Sequence, residues 1–521
     1  MNRPEIEECP PATSMPRKSN QVDRGSSCGT ARVAAHCTRN LLLAGAVLVG
    51  FGLAACGNSG VGSTGPAADV SEELSGGAGL FLAAGSSGPS LAAVDYVEQE
   101  FVAAGLATSY AAPDGLPTDG RFALQEAGSA EYRTRIVVRR PASPDRFNGT
   151  VVVEWLNVSG GVDAGPDYSF MAEEIVRSGF AWVGVSAQLI GVEGGPVVVT
   201  VPNASDLPGK GIKKIDPARY GTLHHPGDAY SYDMFTQVAR ALRVNSHGVL
   251  GRLRAERILG VGESQSAGTL TTYVDGIQPL SDAFDGFVIH SRGGGAAPIE
   301  TTSGYFDVVA AIAGPPTIIR TDTEVPVLIV ETESDVTSIL GYYNARQEDS
   351  ENIRLWEIAG TAHADAYLIG AAAAGIECGA PINDGPQRFI VRTALRAMDA
   401  WVRGDEAPPA APRLVVDVGS GRPVIRRDAD GNALGGIRTP QVDVPVAALG
   451  GEPGPAPSII CLLLGSTRPF SDERLRQLYP DAATYLDAYQ RATDAAISAG
   501  FVVPEDRQAV LDDARPDVIP Q

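Results

Sequence analysis

The sequence predicts an α/β protein with a mostly parallel β-sheet flanked by helices and a C-terminal extension. Short apolar runs alternate along the chain with longer segments whose apolar residues recur at helical spacing. Because the apolar runs are nearly continuous, we expect strands that are buried on both faces. The 521 residues, 44% hydrophobic and 20% charged, suffice for one large domain or two ordinary ones.

The strands are the short apolar runs, and seven are predicted: Arg133–Arg139, Thr150–Leu156, Phe180–Val185, Arg257–Gly262, Gly286–His290, Val325–Glu331 and Ile353–Ile358. The helices lie between or after these runs: Tyr168–Ser178, Pro226–Arg243, Ser264–Ile277 and Pro386–Arg403. Pro226 stands at a first-turn position, where proline suits a helix. Together these elements predict one α/β domain over residues 79–404.

Residues 405–521 are less regular and begin near a proline-rich break at Pro408–Pro412. Strands are predicted at Arg413–Val416 and Val442–Val444, and helices at Glu473–Tyr479, Ala482–Ala499 and Pro504–Ala514. We predict that this C-terminal extension packs on the α/β domain.

The N-terminus has the layout of a signal peptide over residues 1–55. The uncharged run Leu41–Ala55 follows Arg32 and Arg39, and its 15 residues fall short of the roughly 20 that span a membrane. Leu53-Ala54-Ala55-Cys56 resembles the bacterial lipobox, which implies lipidation of Cys56, export and an extracytoplasmic membrane anchor. A plain signal peptide or a short anchor helix is the alternative.

Composition and net charge predict a tether after the leader and argue against one class of partner. Residues 56–78 are rich in glycine and serine and are expected to be a flexible tether. A net charge of -21 argues against nucleic acid as a partner.

After loss of the leader and lipidation of Cys56, Cys378 and Cys461 remain, and export predicts a disulfide between them rather than two free thiols. The spacing of cysteine and histidine predicts no metal site.

One short segment predicts a nucleophile. In Gly262-Glu263-Ser264-Gln265-Ser266, an apolar strand ends and a helix begins around a serine with small neighbours two residues away. This is the context of a nucleophile elbow, whose tight turn exposes the serine hydroxyl. We favour Ser264. Ser266 is the alternative, although it requires the strand to continue through polar Glu263.

A serine nucleophile needs a base and an orienting acid. His363 follows the strand Ile353–Ile358 in a loop of small residues, so it can reach over the sheet edge. His290 is expected to be buried or indirect, and the His224-His225 pair is expected to act in helix capping. Two carboxylates, Glu333 and Asp335, follow the strand at Val325–Glu331 and compete for the acid role.

The developing negative charge on the substrate oxygen needs backbone donors. The N–H of Gln265, directly after the nucleophile, is the first predicted donor. The second is expected in the loop after the strand Thr150–Leu156, where we select the N–H of Asn157. Arg292 is expected to pair with a structural carboxylate rather than with substrate, and residues 296–322 are predicted to form a small lid over the site.

Residues from about Arg133 to Arg403 resemble an α/β-hydrolase. The segments VEWLNVSGG, HPGD, GESQSAGTL, HSRGGGAAP and WEIAGTAHAD are similar to those of a bacterial α/β-hydrolase-domain group, and GGIRTPQVDVPVA continues the likeness into the extension. The resemblance implies an α/β-hydrolase fold, a Ser264–Asp335–His363 triad and no cofactor. It favours Asp335 over Glu333 as the acid and implies no particular substrate.

These observations predict an exported, lipid-anchored serine hydrolase that acts on a small or lipid-like acyl ester. An acyltransferase would use the same three residues with an alcohol in place of water. A binding lipoprotein of the same fold without activity is a third hypothesis, disfavoured because all three triad positions hold competent residues.

Overall fold

The computed structural model describes residues 65–85, 87–200, 206–419, 421–455 and 458–521. The predicted signal peptide and Cys56 lie outside these residues, so lipidation and export stay predictions. Within the described residues, every helix is too short or too polar to cross a bilayer.

A mixed sheet of eight strands forms the centre of the fold. The strands are β1 (Tyr96–Ala111), β2 (Gln125–Pro141), β3 (Thr150–Trp155), β4 (Ala181–Val185), β5 (Arg257–Glu263), β6 (Gly286–His290), β7 (Val327–Thr332) and β8 (Ile353–Ile358). Their spatial order is β1-β2-β4-β3-β5-β6-β7-β8. The pairs β1–β2 and β2–β4 are antiparallel and all other pairs are parallel. The expected mostly parallel sheet of an α/β-hydrolase fold is therefore present.

Helices cover both faces of the sheet and form much of the C-terminal region. They are α1 (Pro166–Arg177), α2 (Leu189–Glu193), α3 (Gly211–Ile215), α4 (Pro217–Tyr220), α5 (Ser231–Arg243), α6 (Gln265–Thr272), α7 (Gln278–Ser281), α8 (Val308–Ile312), α9 (Glu333–Thr337), α10 (Ala366–Ile369), α11 (Gln387–Val402), α12 (Pro440–Asp443), α13 (Ile459–Leu464), α14 (Asp472–Leu478), α15 (Ala482–Ser498) and α16 (Arg507–Asp512). A π-helical segment, Tyr273–Ile277, extends α6 to the predicted end of that helix.

Alternate residues of each strand face opposite layers of the core. Val151 and Val153 of β3 belong to the same buried cluster as Phe235 of α5. Val152, between them, belongs to the cluster on the other face, which includes residues of α1 and α11. Because side chains alternate along a strand, a run of three valines is buried on both faces, and each contributes about 1.5–3 kcal/mol of hydrophobic stabilisation.

The sequence did not predict the edge of the sheet. Strand β1 is not predicted because two glutamates interrupt its apolar pattern: Glu98 is exposed, as an edge strand permits, and Glu100 is buried in an ion pair with Arg135. Residues 65–78, predicted to be a flexible tether, form bridges to β1 at Asp69–Ala104 and Glu73–Phe101. Ala68, Val70 and Leu74 are buried there. This segment differs from the prediction because it covers the open edge of β1 with hydrogen bonds and apolar side chains.

The predicted helices of the C-terminal extension are present, but its predicted strands are largely wrong. Val442–Val444 overlaps the short helix α12, which begins at Pro440, a favourable first helical position. Of Arg413–Val416, only Val416 enters a strand. The small strands are β9 (Val416–Asp417), β10 (Val424–Ile425), β11 (Ala447–Gly450) and β12 (Ser466–Pro469). Tyr485 and Tyr489 of α15 join the core cluster of α11.

A disulfide links Cys378, after α10, to Cys461 in α13. Both cysteines are buried in a small apolar cluster with Ile376, Ile382 and Ile460. The bond therefore ties the segment after the last strand of the sheet to the C-terminal extension, as the sequence predicted.

Replacing both Cys378 and Cys461 by alanine should lower the free energy of unfolding by about 2–4 kcal/mol, since the bond closes a long loop. The two cysteines are 83 residues apart in sequence. Urea unfolding followed by tryptophan fluorescence measures the change. A reducing agent should destabilise the wild type and leave the double variant unaffected. An unchanged unfolding midpoint in the double variant would contradict this expectation.

Candidate active site

The turn between β5 and α6 places Ser264 in an unusual backbone conformation, with φ 62° and ψ -119°. The serine N–H donates to the carbonyl oxygen of His290 at 2.9 Å, which fixes the turn to the neighbouring strand β6. A Cβ atom at Gly262 would lie 3.1 Å from the Cβ of Ser266. A side chain at position 262 would therefore crowd Ser266. Because Gly262 has none, a serine can occupy position 266 on the other side of the turn.

Ser264, His363 and Asp335 form one chain of hydrogen bonds. His363 Nε2 lies 2.7 Å from Ser264 Oγ, and His363 Nδ1 lies 2.7 Å from Asp335 Oδ1. The other oxygen of Asp335 accepts from the N–H and hydroxyl of Thr332, at 2.7 and 2.6 Å. The structure thus brings together the three residues that the sequence proposed as a triad, at the carboxyl ends of β5, β7 and β8.

The alternative nucleophile and the alternative acid lie outside this chain. Ser266 is buried, and its hydroxyl has no hydrogen-bond partner in the described part of the protein. Glu333 accepts from the N–H of Gly360 at 2.6 Å and from Arg427 at 2.8 Å. These contacts give Glu333 a structural role between the sheet and the C-terminal extension.

The two predicted oxyanion donors differ in availability. Gln265 is the first residue of α6, so its N–H has no acceptor within the helix. The N–H of Asn157, however, donates to the carbonyl oxygen of Ala164 at 2.9 Å, and this corrects the prediction that it faces the substrate. The next N–H along the loop, that of Val158, points towards the Gln265 side chain, whose Oε1 lies 3.5 Å away. Both loop N–H groups thus have acceptors within the protein, and the N–H of Gln265 is the predicted donor that remains available.

Glu263 is a site residue that the sequence interpretation missed. Its Oε1 lies 3.3 Å from His363 Nε2, and the side-chain amide of Asn157 donates to its Oε2 at 3.3 Å. The sequence does contain an indication of this role, because Glu263 is a carboxylate at the end of a largely apolar strand, directly before Ser264. Strand alternation gave no reason to place that carboxylate beside the histidine.

Burial and neighbouring charges shift the pKa values of both Glu263 and His363. Burial raises the pKa of the Glu263 carboxyl to about 7, although nearby His363 opposes the shift. Burial lowers the pKa of His363, but the carboxylates of Glu263 and Asp335 outweigh this effect and raise it to about 9. The imidazole thus favours its charged form next to the serine, and the two carboxylates are the cause.

His290, predicted to be buried or indirect, lies behind the elbow. Its Nδ1 is 2.9 Å from Asp167 Oδ1, and the Gln387 side chain donates to its Nε2 at 2.9 Å. Burial lowers the pKa of His290 to about 4. His225 accepts from the N–H of Gly227 at 3.1 Å, a turn contact like the capping role expected for the pair. The described residues include no group of three or more metal-binding side chains.

Two cavities meet at Ser264. The larger, of about 630 Å³, is also bordered by His363, Glu263 and Asn157. The smaller, of about 40 Å³, is bordered by Gln265 and by residues of the predicted lid. A serine that opens onto two cavities, with a histidine on one side and a helix N-terminus on the other, can attack a bound carbonyl group.

Comparison with known proteins places the chain in a family. Residues 64–512 match a family model described as an alpha/beta hydrolase domain. A search of curated proteins found no match.

The solved structures that match this chain do so at low identity and low TM-score. A fungal esterase from Rhizomucor miehei is 11% identical, with a TM-score of 0.28, over 58% of this chain and 85% of that one. XC6422 from Xanthomonas campestris, described as an a/b serine hydrolase without lid, is 12% identical, with a TM-score of 0.26, over 52% and 91%. Since the family match extends over most of the sequence, the chain belongs to the alpha/beta hydrolase domain family.

Proposed function

We propose that the protein is a serine hydrolase that cleaves carboxylic esters, with Ser264 as nucleophile, His363 as base and Asp335 as orienting acid. The observation that carries the proposal is the hydrogen-bonded chain from Asp335 through His363 to a serine hydroxyl that opens onto both cavities. Structural histidines seldom have this arrangement, because a buried imidazole between a carboxylate and a serine in a strained turn is costly to maintain.

The reaction begins when the Nε2 of neutral His363 accepts the proton of Ser264 Oγ. The oxygen attacks the acyl carbon, and the carbonyl oxygen becomes an oxyanion. The N–H of Gln265 stabilises that charge, and the N-terminus of α6 adds a favourable dipole. Asp335 holds the Nδ1 proton and stabilises the imidazolium that forms.

The intermediate collapses when His363 returns its proton to the leaving alkoxy oxygen. The C–O bond breaks, the alcohol departs and the acyl group stays on Ser264. Water then attacks the acyl carbon while His363 accepts a water proton, and the second collapse releases the acid and restores Ser264. No cofactor is required in this scheme.

Export and anchoring through Cys56 complete the proposal. The disulfide between Cys378 and Cys461 supports it, because such bonds persist in oxidising compartments outside the cytoplasm. A neutral or weakly polar ester, small or lipid-like, is the substrate class that suits a membrane-anchored enzyme of this kind.

A fluorophosphonate should add one label to the wild type and to Ser266→Ala, and none to Ser264→Ala, because the His363 ring contacts the hydroxyl of Ser264 and not that of Ser266. Intact-mass measurement detects the label. We also expect Ser264→Ala to lower kcat on p-nitrophenyl acetate by at least about 10⁴-fold. Loss of the label in Ser266→Ala alone would move the nucleophile by two residues.

The same assay distinguishes the other two hypotheses. An inactive binding protein would take up no label. With an added alcohol, a hydrolase still releases free acid, whereas an acyltransferase forms a new ester that gas chromatography detects.

Glu263→Gln should move the acidic limb of kcat/KM to lower pH. Only neutral His363 can accept the serine proton, so activity of the free enzyme should rise with pH through the pKa of about 9. Removing the Glu263 charge lowers that pKa by about one unit, since a neighbouring carboxylate stabilises imidazolium. The measurement is kcat/KM from pH 6 to pH 10.

The exposed residue Glu300 provides the matched control for that profile. Glu300→Gln makes the same change in charge at a surface residue that does not contribute to the pKa of His363, and it should leave the midpoint unchanged. A midpoint that is the same in Glu263→Gln and wild type would refute the role assigned to Glu263.

Cys56→Ser should abolish incorporation of radiolabelled palmitate and move the protein from the membrane fraction to the soluble fraction of an expressing bacterium. Cys28→Ser, a cysteine within the predicted leader, serves as the control and should be labelled like the wild type. Equal label in Cys56→Ser and wild type would place the lipid on another residue, and no label in either would leave a plain signal peptide or an anchor helix.

A further inference from the structure

We propose that the enzyme prefers esters of short-chain acids with large, uncharged alcohols, because the small cavity receives the acyl group and the large cleft receives the alcohol. This inference rests on the proposed function, since it assigns the two sides of the substrate to the two cavities that meet at Ser264.

The two cavities differ greatly in size. The small one measures about 40 Å³. A single water occupies roughly 10–15 Å³ of such a cavity, so the cavity has room for about three atoms beyond the acyl carbon. The large cleft measures about 630 Å³, which accommodates a much bulkier group.

The position of His363 decides which cavity holds the alcohol. The tetrahedral intermediate carries the serine oxygen, the oxyanion, the leaving oxygen and the acyl substituent on one carbon. The leaving oxygen must face His363 Nε2, which returns its proton. His363 borders the large cleft and not the small cavity, whereas Gln265, the oxyanion donor, borders the small cavity. The alcohol therefore extends into the cleft and the acyl substituent into the small cavity.

The wall of the small cavity is held in place by buried polar contacts. Arg292 is buried, and its guanidinium donates to the carbonyl oxygens of Gly293 at 3.1 Å and Thr317 at 2.5 Å, which joins the two ends of the predicted lid. Asp228 accepts from the N–H of Phe306 at 2.8 Å, midway along that segment. Opening the cavity for a long acyl chain would break these contacts, each of which holds a buried charged group.

These contacts also give structural roles to Arg292 and to the HPGD segment. Arg292 donates to the backbone of the predicted lid, and its charge also opposes the rise in pKa that burial causes at the structural carboxyl groups of Asp275 and Glu331. Asp228, from the HPGD segment, holds the same region from the other side. Both sequence motifs thus support the wall of the small cavity.

The lining of the cleft indicates the chemistry of the alcohol. Among the described residues that border it, the acid Glu263 and the base His363 are the charged or titratable groups near Ser264, and lysine and arginine do not occur. A negatively charged alcohol would be repelled by the Glu263 carboxylate, and the described lining offers no lysine or arginine to bind it. Apolar side chains provide the remaining contacts, including those of Phe81, Leu368 and Leu463.

The decisive experiment compares hexyl acetate with ethyl hexanoate, two isomers of equal composition in which the long chain lies on opposite sides of the ester bond. Initial rates of acid release by the purified full chain, measured by pH-stat, give kcat/KM for each. We expect hexyl acetate to be preferred by about 100-fold, because the hexanoyl chain exceeds the small cavity.

Two substitutions should change this preference in opposite directions. Ile312 borders the small cavity, and Ile312→Ala should raise kcat/KM for ethyl hexanoate about tenfold relative to hexyl acetate. A Cβ atom at Gly268 would meet no atom within 4 Å, so Gly268→Val should fill the cavity and lower activity on propionate and butyrate esters relative to acetates. Val309→Ala is the matched control, since this residue lies on the same helix with 64% of its surface exposed.

The outcomes separate the two proposals. Suppose that fluorophosphonate labels Ser264. If kcat/KM for ethyl hexanoate then equals that for hexyl acetate, or if neither ester is hydrolysed, the cavity assignment is overturned and Ser264 is retained as the nucleophile. If neither ester is hydrolysed and no label appears on the folded protein, the proposed function itself fails. An unchanged ester preference in Ile312→Ala also counts against the assignment.

Discussion

The rest of the site depends on one tight turn, in which Ser264 adopts a positive φ between β5 and α6. A non-glycine residue takes this conformation only where its surroundings enforce it. Here the hydrogen bond to the His290 carbonyl and the close approach of Gly262 to Ser266 provide that constraint. The turn points the hydroxyl away from the sheet, towards the edge where parallel strands end. His363 and Asp335 reach the same edge because β8 and β7 run parallel to β5.

The site is also a concentration of buried charge. Glu263, Asp335 and His363 lie together with little exposure to water, so each alters the protonation of the others. Asp335 is satisfied by two donors from Thr332 and stays ionised, whereas burial raises the pKa of Glu263 to about 7. The pKa of the imidazole is therefore set by Asp335, which contacts Nδ1, and by Glu263, which lies near Nε2.

Local patterns in the sequence predicted much of this arrangement, and long-range geometry determined the rest. The seven apolar runs and the order of serine, acid and histidine predicted the sheet and the three residues at its edge. The engaged N–H of Asn157 depends on a loop contact with Ala164, which no spacing rule reveals. Glu263 was missed because its role arises from a neighbour 100 residues away in sequence. The edge strand β1 lacked apolar periodicity because water, and not a helix, covers part of it.

The segment that covers the edge of β1 would limit how far the protein can move from a membrane if Cys56 carries a lipid. Residues 65–78 lie against the sheet, so a lipid on Cys56 would leave only the eight residues 57–64 between the anchor and the sheet. A fully extended chain of that length reaches at most about 30 Å. The enzyme would then search a thin layer of solution next to the bilayer, in which partitioned esters are more concentrated than in bulk water.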